Sequence, residues 1–366
     1  MRPLKHFRHM LNITNSIACD SDHQKLQCFL YIQPSKIRTL KNSSVNDTEV
    51  FTYNSLVTSH VDKAENCTNE TLTSPTDSYT PVIALSVSSS FTLNPRDLCS
   101  TKNLKGKGKM ALLILVCTAI PNSKQRETIR KTWGSIAVAN NNTGYVRLAF
   151  LVGSTNNATL QQQLEHEYLE HSDIIQQNFV DSYQNLTLKS VMLLKWVSEF
   201  CPNVQFVLKT DDDMYVNVPN LVYSLSRFPI KSNVIYGVLF KKAKPDRNPR
   251  AKWYVPKNQF DGNVFPDYLS GTGYVMSRDV VPKLLEASST LPFLVMEDVF
   301  ITGLCASQYH IKRYNIRGFA YWRRPPTGCA FKDAITGHHV TVKDMIKIWK
   351  ELQKKPLICR PLKKKG

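Results

Sequence analysis

The sequence predicts an α/β fold with a mostly parallel central sheet and helices on both faces. Three features downstream of residue 110 predict it. Apolar runs of strand length alternate with segments of helical pattern, the breaks between them contain Pro, Gly and capping residues, and one apolar run ends in three carboxylates. A β-α-β-α-β order makes neighbouring strands parallel, and such sheets bind ligands beyond the carboxyl ends of their strands.

The predicted elements follow in order. Continuous apolar residues at 111–120 indicate a central strand, the break at 121–123 offers a helix cap, and 124–133 reads as a helix that stops at Gly134. The remaining predicted elements are a strand at 145–152, a polar helix at 160–171, a long helix at 182–200 and a strand at 204–210. Cys117 lies inside the first strand, where it is expected to be a small core residue.

Asp211, Asp212 and Asp213 follow the last of these strands without a break. Three adjacent carboxylates repel one another, so the pattern favours a bound cation, and Mn²⁺ or Mg²⁺ prefers such oxygen ligands. A calcium loop of the EF-hand kind is excluded, because its sixth and twelfth positions would be Val216 and Val222 instead of Gly and Glu. A solvated acidic turn remains the alternative.

Composition narrows the classes of partner. The formal net charge of +18 calls for an anionic partner, which is a nucleic acid, an acidic membrane face or a phosphorylated small molecule. The basic residues are scattered and no nucleic-acid-binding module frames them, so no nucleic acid is expected. The phosphate loop of nucleotide-hydrolysing enzymes and the kinase catalytic loop are both absent from the sequence. Nine cysteines without a C-x-x-C pair do not indicate structural zinc.

Residues 1–105 are predicted to be a largely irregular, glycosylated stem, and residues 106–366 a catalytic domain. Residues 1 to about 100 are rich in Ser, Thr and Asn, and a basic hinge at 102–109 follows them. Residues 1–20 contain no apolar run long enough for a signal peptide or anchor, so an upstream anchor is expected to be missing. Five of the eight glycosylation sequons lie in the first 71 residues, the full set being Asn12, Asn42, Asn46, Asn66, Asn69, Asn141, Asn157 and Asn185.

Four further groups are candidate site residues. Arg126 and Arg130 share one face at the start of a helix, where guanidinium groups suit phosphates, although a solvated basic face fits equally well. The glycines of Ser-Gly-Thr-Gly permit close approach of a ligand or simply a turn. An acidic pair before an apolar segment can supply a general base or start a helix, and a histidine pair before a helix can include a metal ligand. These last three groups are Gly271 and Gly273, Glu297 and Asp298, and His338 and His339.

Taken together, these segments resemble the β1,3-galactosyltransferases and their β1,3-N-acetylglucosaminyltransferase relatives, glycosyltransferase family 31. The similarity covers about residues 108–360 in order and spacing. The matching segments are Arg-Glu-Thr-Ile-Arg-Lys-Thr-Trp-Gly at 126–134, Tyr-Gln-Asn-Leu-Thr-Leu-Lys at 183–189, Phe-Cys-Pro at 200–202, Lys-Thr-Asp-Asp-Asp-Met-Tyr-Val-Asn at 209–217, Tyr-Leu-Ser-Gly-Thr-Gly-Tyr-Val at 268–275, Glu-Asp-Val at 297–299 and Ile-Thr-Gly-His at 335–338.

The resemblance implies a GT-A type fold, a type II Golgi membrane protein with a lumenal catalytic domain, a UDP-sugar donor and Mn²⁺. By the same resemblance, Asp298 is the expected catalytic base, with Glu297 as second choice, and Cys329 and Cys359 occupy positions where the family has cysteines. The implied metal ligands are Asp211, Asp213 and His338, and the implied donor-binding residues are Arg126, Arg130, Lys189, Asp211, Asp212, Gly271 and Gly273.

The predicted activity is transfer of galactose from UDP-galactose, with inversion, to the 3-hydroxyl of a terminal sugar on a glycoprotein or glycolipid. Galactose is favoured because the glycine motif has the form found in galactosyl members. Two alternatives remain, a transferase that uses UDP-N-acetylglucosamine and an inactive lectin-like relative. The intact acidic triplet and the intact Glu-Asp pair favour an enzyme. The identity of the acceptor glycan stays open.

Overall fold

The computed structural model describes residues 17–20, 27–30, 90–100, 110–139 and 146–359. The chain divides into two compact units, Met1–Thr76 and Asp77–Gly366. In the first, β1 (Ile17–Asp20) pairs antiparallel with β2 (Gln27–Leu30). The rest of the predicted stem up to residue 89, the basic hinge at 102–109 and the sequon at Asn141 lie outside the described residues.

The second unit is built on an eight-stranded mixed sheet in the order β13-β9-β12-β7-β4-β5-β6-β3. Strands β4 to β7 pair in parallel, and β12 runs antiparallel between β7 and β9. The strands of this sheet are β3 (Phe91–Leu93), β4 (Leu112–Cys117), β5 (Val146–Ser154), β6 (Ile174–Val180), β7 (Phe206–Asp211), β9 (Val234–Gly237), β12 (Gly273–Ser277) and β13 (Lys312–Asn315).

Two short antiparallel pairs and a set of helices complete the unit. The pairs are β8 (Tyr215–Val216) with β14 (Thr336–Gly337) and β10 (Leu239–Phe240) with β11 (Tyr268–Leu269). The helices are α1 (Ser123–Lys131), α2 (Ser135–Ala139), α3 (Ala158–His171), α4 (Leu186–Phe200), α5 (Val218–Arg227), α6 (Val281–Thr290), a π-helix (Val299–Cys305), α7 (Ala306–Gln308), α8 (Gly328–Phe331) and α9 (Val342–Leu352).

The sheet is covered on both faces, as its apolar pattern requires. Along β4, Leu113 and Leu115 pack into a cluster with α4 and α6, whereas Ile114 packs into a second cluster with α1, α5 and α9. Alternate residues of a strand point to opposite faces, so a strand that is apolar throughout must be buried on both sides. The predicted α/β fold with helices on both faces is therefore confirmed, and Cys117 is a buried core residue.

Several boundaries differ from the prediction. Strand β6 was not predicted, because buried Gln176 and Gln177 interrupt its apolar run. The Gln176 amide donates to the Gly153 carbonyl at 2.9 Å, which satisfies its polar group in the interior. The sheet also includes β3, upstream of the predicted domain boundary at residue 105, and Cys99 near β3 forms a disulfide with Cys201 after α4.

The carboxyl-terminal part contains the helix expected after the histidine pair. Thr341 caps α9 with a capping box, in which its side chain accepts from the Asp344 amide and Asp344 accepts in return. Met345 and Ile348 are buried on one face of this helix. Cys329 and Cys359 form a disulfide that joins α8 to the segment after α9. Across the described ranges, no helix combines the length and the apolar character needed to cross a bilayer.

Candidate active site

Strand pairing brings the acidic triplet and the glycine motif together. Because β12 runs antiparallel to β7, the first residue of β12 lies beside the last residues of β7, and Gly273 is the partner of Thr210. Asp211 ends β7 and the other two carboxylates follow in the turn. The carboxyl end of β7 is therefore where the sheet presents its acidic residues, in agreement with the rule for open α/β sheets.

A buried lysine links three parts of this region. The Lys209 side chain is 1% exposed, and its ammonium donates to Asp211 Oδ1 at 2.8 Å and to the Gly271 carbonyl at 2.5 Å. The same ammonium lies 3.4 Å from Glu297 Oε2. Burial by itself would lower the pKa of Lys209, but the charges of Asp211 and Glu297 raise it well above its ordinary value. The lysine is therefore a fixed positive charge behind the acidic surface.

The three carboxylates have different neighbours. Asp211 faces Lys209, and burial raises the pKa of its carboxyl to about 6 despite that lysine. Asp212 accepts hydrogen bonds from Thr118 Oγ1 at 2.6 Å and from Asn122 Nδ2 at 2.8 Å. These two donors follow β4, so Asp212 ties the turn after β7 to the loop after β4. Burial raises the pKa of Asp212, and the two hydrogen bonds oppose that rise.

Asp213 faces two histidines. Its Oδ2 atom lies 3.2 Å from His338 Nε2 and 3.6 Å from His339 Nδ1. Pairing of β14 with β8, together with a hydrogen bond from the Val340 amide to the Asp213 carbonyl at 2.8 Å, holds the two segments side by side. Burial would raise the pKa of Asp213, but the hydrogen bond from His338 and the nearby imidazoles lower it overall.

The ligand atoms of Asp213, His338 and His339 all lie within 4.8 Å of one another. His338 Nδ1 is 2.8 Å from the Tyr321 carbonyl, which requires a proton on Nδ1, so Nε2, which faces Asp213, is the ring nitrogen that would give up its proton to bind a metal. A carboxylate and one or two imidazoles of this geometry fit a divalent cation such as Mn²⁺. The predicted ligands Asp213 and His338 thus lie together. Asp211 instead directs one oxygen to Lys209, and His339 joins the group although it was not predicted as a ligand.

The acidic pair lies next to the glycine motif, and its two members have different environments. Asp298 is partly exposed, and it accepts from the Gly271 amide at 3.0 Å and from the Val299 amide at 2.9 Å. Burial, and then the charge of Glu297, raise the pKa of Asp298 to about 6. Glu297 is 6% exposed and accepts from Ser190 Oγ and Tyr274 Oη. Glu297 thus stabilises the interior, and Asp298 is the member with access to the cleft.

Gly271 is required by this close packing. A Cβ atom at position 271 would lie 3.1 Å from Glu297 Oε2 and 3.2 Å from Asp298 Cβ, closer than most side chains tolerate. A Cβ at Gly273 would lie 3.5 Å from Thr210 Oγ1, which is ordinary van der Waals contact. The two glycines were expected to allow close approach of a ligand or simply a turn, and at Gly271 the backbone closely approaches the acidic pair.

The three basic residues expected at the donor have partners within the protein. Arg126, Arg130 and Lys189 are all buried, and their charged groups are paired inside the protein. Arg126 donates to Glu167 and to the carbonyls of Ala119 and Ile120. Arg130 donates to Asp173 and lies 2.8 Å from Glu167. Lys189 donates to Asp181 and to the Thr118 carbonyl. Arg126 and Lys189 thus support the loop after β4, and Arg130 joins α1 to α3. Sequence spacing identified the shared helix face but not the acidic partners, which are distant in the chain.

The fold and this cleft define an α/β protein whose carboxylates and histidines converge at the end of a parallel strand. Residues 124–317, more than half of the chain, match the family described as Galactosyltransferase, and the chain belongs to that family. The resemblance found in the sequence is thereby confirmed. As a member of this family, the protein is a glycosyltransferase of the hexosyltransferase kind.

Two curated relatives illustrate the range of similarity. Beta-1,3-galactosyltransferase 1 of Mus musculus is 34% identical over 307 residues, which span 79% of this chain and 93% of the relative. Lactosylceramide 1,3-N-acetyl-beta-D-glucosaminyltransferase B of Xenopus laevis is 30% identical over 341 residues, which span 91% of this chain and 86% of the relative. Among solved structures, the WbbM bifunctional glycosyltransferase aligns with a TM-score of 0.35 and 12% identity, over 66% of this chain and 50% of that chain.

Replacing Arg130 by Met tests its structural placement. The change leaves Glu167 and Asp173 without a buried cationic partner, which commonly costs about 3–5 kcal/mol. We expect a loss of that size in the free energy of unfolding in urea, with unchanged UDP affinity in the folded fraction. Exposed Arg317→Met is the matched control and should change neither quantity. A lower UDP affinity with no loss of stability would instead support Arg130 as a donor-binding residue.

Proposed function

We propose that this protein transfers galactose from UDP-galactose to the 3-hydroxyl of a terminal sugar, forming a β1,3 linkage. The observation that carries the proposal is the assembly of two chemically distinct groups of side chains, which we call corners, around the buried Lys209. One corner offers the ligand set of Asp213 and His338, and the other offers Asp298, a partly exposed residue whose carboxylate accepts two amide hydrogen bonds. Lys209 joins the two corners, because it contacts Asp211 on one side and the Gly271 turn on the other.

On the donor side, Asp213 and His338 would hold Mn²⁺, with His339 beside them and Asp211 supplying its second oxygen. A divalent cation there would act as a Lewis acid and offset the negative charge of the leaving UDP. Asp212 keeps the loop after β4 in place through Thr118 and Asn122, at the sheet edge where a nucleotide would bind. Arg126 and Lys189 contribute by supporting this same loop.

On the acceptor side, Asp298 would remove the proton from the acceptor 3-hydroxyl as that oxygen attacks the anomeric carbon. One base and one stabilised leaving group suffice for transfer with inversion. Two amide donors fix the Asp298 carboxylate, and its raised pKa of about 6 makes it a better proton acceptor than an ordinary aspartate. Glu297, paired with Ser190 and Tyr274, positions the segment.

The proposal also covers the donor sugar and the cellular location. The Ser-Gly-Thr-Gly form at 270–273 and the galactosyltransferase relatives support galactose, whereas the Xenopus laevis relative makes N-acetylglucosamine the second candidate. The sequons and the predicted lumenal stem support a Golgi enzyme held by a signal-anchor. The acceptor would be a glycan on a protein or a lipid.

Release of UDP distinguishes these donors. The full chain is incubated with UDP-galactose and with UDP-N-acetylglucosamine in separate reactions with β-linked monosaccharide acceptors. We expect acceptor-dependent UDP release with UDP-galactose, its loss on chelation and its recovery with Mn²⁺. Asp213→Asn should raise the Mn²⁺ concentration needed for half-maximal rate, and exposed Asp97→Asn should not. Faster release with UDP-N-acetylglucosamine would reverse the donor assignment. A protein that binds UDP and Mn²⁺ but releases no UDP from either nucleotide sugar would be an inactive relative.

Replacing Asp298 by Asn tests the base. The amide cannot accept the proton, and loss of a general base commonly costs about 10²–10⁴-fold in rate. We expect turnover to fall by that factor, while affinity for UDP and Mn²⁺ stays within about twofold of the wild type. Glu297→Gln is the comparison, and its effect should appear mainly as lower stability. Near wild-type turnover in Asp298→Asn contradicts the assignment.

The raised pKa of Asp298 predicts the acidic limb of the pH profile. The base works only when ionised, so kcat/KM should be constant well above pH 6 and should fall as the pH drops through about 6. Affinity for UDP and Mn²⁺ is measured over the same range, because the pKa of Asp211 is also about 6. A midpoint near 4 at saturating Mn²⁺, the value of an ordinary aspartate, would show that Asp298 does not titrate as described.

A further inference from the structure

Four aromatic side chains form a continuous wall along one side of the cleft. Phe240 stacks on Tyr268 with ring centroids 5.3 Å apart, and it contacts Tyr321 at 5.1 Å. Tyr321 in turn meets Trp322 edge to face at 5.2 Å. We call Phe240, Tyr268, Tyr321 and Trp322 the aromatic wall. Its members come from β10, β11 and the segment before α8, so the fold brings them together from three distant parts of the chain.

Both ends of the aromatic wall adjoin the proposed site. At one end, His338 Nδ1 lies 2.8 Å from the Tyr321 carbonyl, and the His338 amide donates to the Trp322 carbonyl. At the other end, Tyr268 lies three residues before Gly271, whose amide contacts Asp298. Burial, and then the charge of Asp298, raise the pKa of the Tyr268 hydroxyl, which agrees with its position near the base. The wall thus extends from the histidine corner to the carboxylate corner.

The outer half of the aromatic wall is partly open to solvent, and the Arg324 guanidinium lies over the Trp322 ring at 5.6 Å, which leaves the other face of that ring for a ligand. Trp322 is 48% exposed and Tyr321 is 42% exposed, while Phe240 and Tyr268 are half-buried behind them. A pyranose is an uncharged ring with a face of C–H bonds and a rim of hydroxyls. Such a face packs against an aromatic ring, and the hydroxyls remain free for polar contacts. The wall therefore suits a sugar ring better than it suits a phosphate or a charged peptide.

The position of the aromatic wall favours the acceptor over the nucleotide. Nucleotides bind at the carboxyl ends of parallel strands, which here are β4 to β7, where Asp212 contacts Thr118 and Asn122. The wall lies on the other side of the acidic triplet, where β10 and β11 precede the Gly271 turn. A sugar on the wall would lie between the histidine corner and the carboxylate corner, where the attacking hydroxyl must meet the donor.

We propose that the aromatic wall is the binding platform for the terminal pyranose of the acceptor, with Trp322 as the ring on which that sugar stacks. This inference rests on the proposed transferase function and adds a residue that determines acceptor binding. It predicts separate consequences for the two substrates. Loss of the Trp322 ring should weaken the acceptor and leave the nucleotide unaffected.

The test compares Trp322→Ala, Trp322→Phe and a matched control. The control is Tyr223→Ala on α5, because Tyr223 is 61% exposed and has an arginine over its ring, as Trp322 has. We expect the acceptor KM to rise about tenfold in Trp322→Ala, with most of the wild-type value restored in Trp322→Phe. UDP affinity by calorimetry, the thermal midpoint and the Tyr223→Ala kinetics should match the wild type.

Direct sugar binding is measured separately by saturation-transfer NMR with methyl β-galactoside and methyl β-N-acetylglucosaminide, with and without UDP and Mn²⁺. Signals from the ring C–H protons should be strong with wild-type protein and with Tyr223→Ala, and weak with Trp322→Ala. Equal signals, or an unchanged acceptor KM, in Trp322→Ala overturn the inference. A fall in UDP affinity instead would assign the ring to the nucleotide. The NMR arm needs no turnover, so an inactive wild type contradicts the proposed function while the platform is still tested.

Discussion

Lys209 is almost fully buried, yet its ammonium contacts Asp211, Glu297 and the Gly271 carbonyl. A buried charge is tolerated only when it is paired and hydrogen-bonded, and here each partner needs the lysine as much as the lysine needs the partner. Asp211 ends β7, the Gly271 turn leads into β12, and Glu297 precedes the π-helix. One ammonium therefore fixes three elements that are far apart in sequence, and the acidic cleft could not be packed this closely without it.

Strand pairing determines which residues come together around Lys209. Because β12 is antiparallel to β7, the start of one strand lies at the end of the other, and a glycine can bring the backbone up to the acidic pair. Pairing of β14 with β8 then carries His338 to Asp213. Three local arrangements thus converge on one cleft. The carboxylates differ in role because they differ in neighbour. Lys209 faces Asp211, Thr118 donates to Asp212, His338 faces Asp213, and the Gly271 amide donates to Asp298.

The sequence predicted the parts of this arrangement that depend on local pattern. Apolar runs, caps and breaks are local, so β4, α1, α4 and β7 were found, and the family motifs identified the acidic residues. Contacts between distant segments were not predictable. The buried pairs of Arg126 and Arg130 with Glu167 depend on how α3 packs, and β6 was hidden by its buried glutamines. His339 was left out of the expected ligand set because its place opposite Asp213 depends on the distant pairing of β14 with β8.

The proposed function requires one site to bring a metal-bound nucleotide sugar to a 3-hydroxyl activated by Asp298. The most direct measurement is NMR analysis of the disaccharide formed from UDP-galactose and a β-linked acceptor. We expect a single product in which the new anomeric proton has the β configuration and the glycosylated acceptor carbon is C3. An α-linked product, substitution at another hydroxyl, or free galactose as the only sugar released would contradict the proposed function.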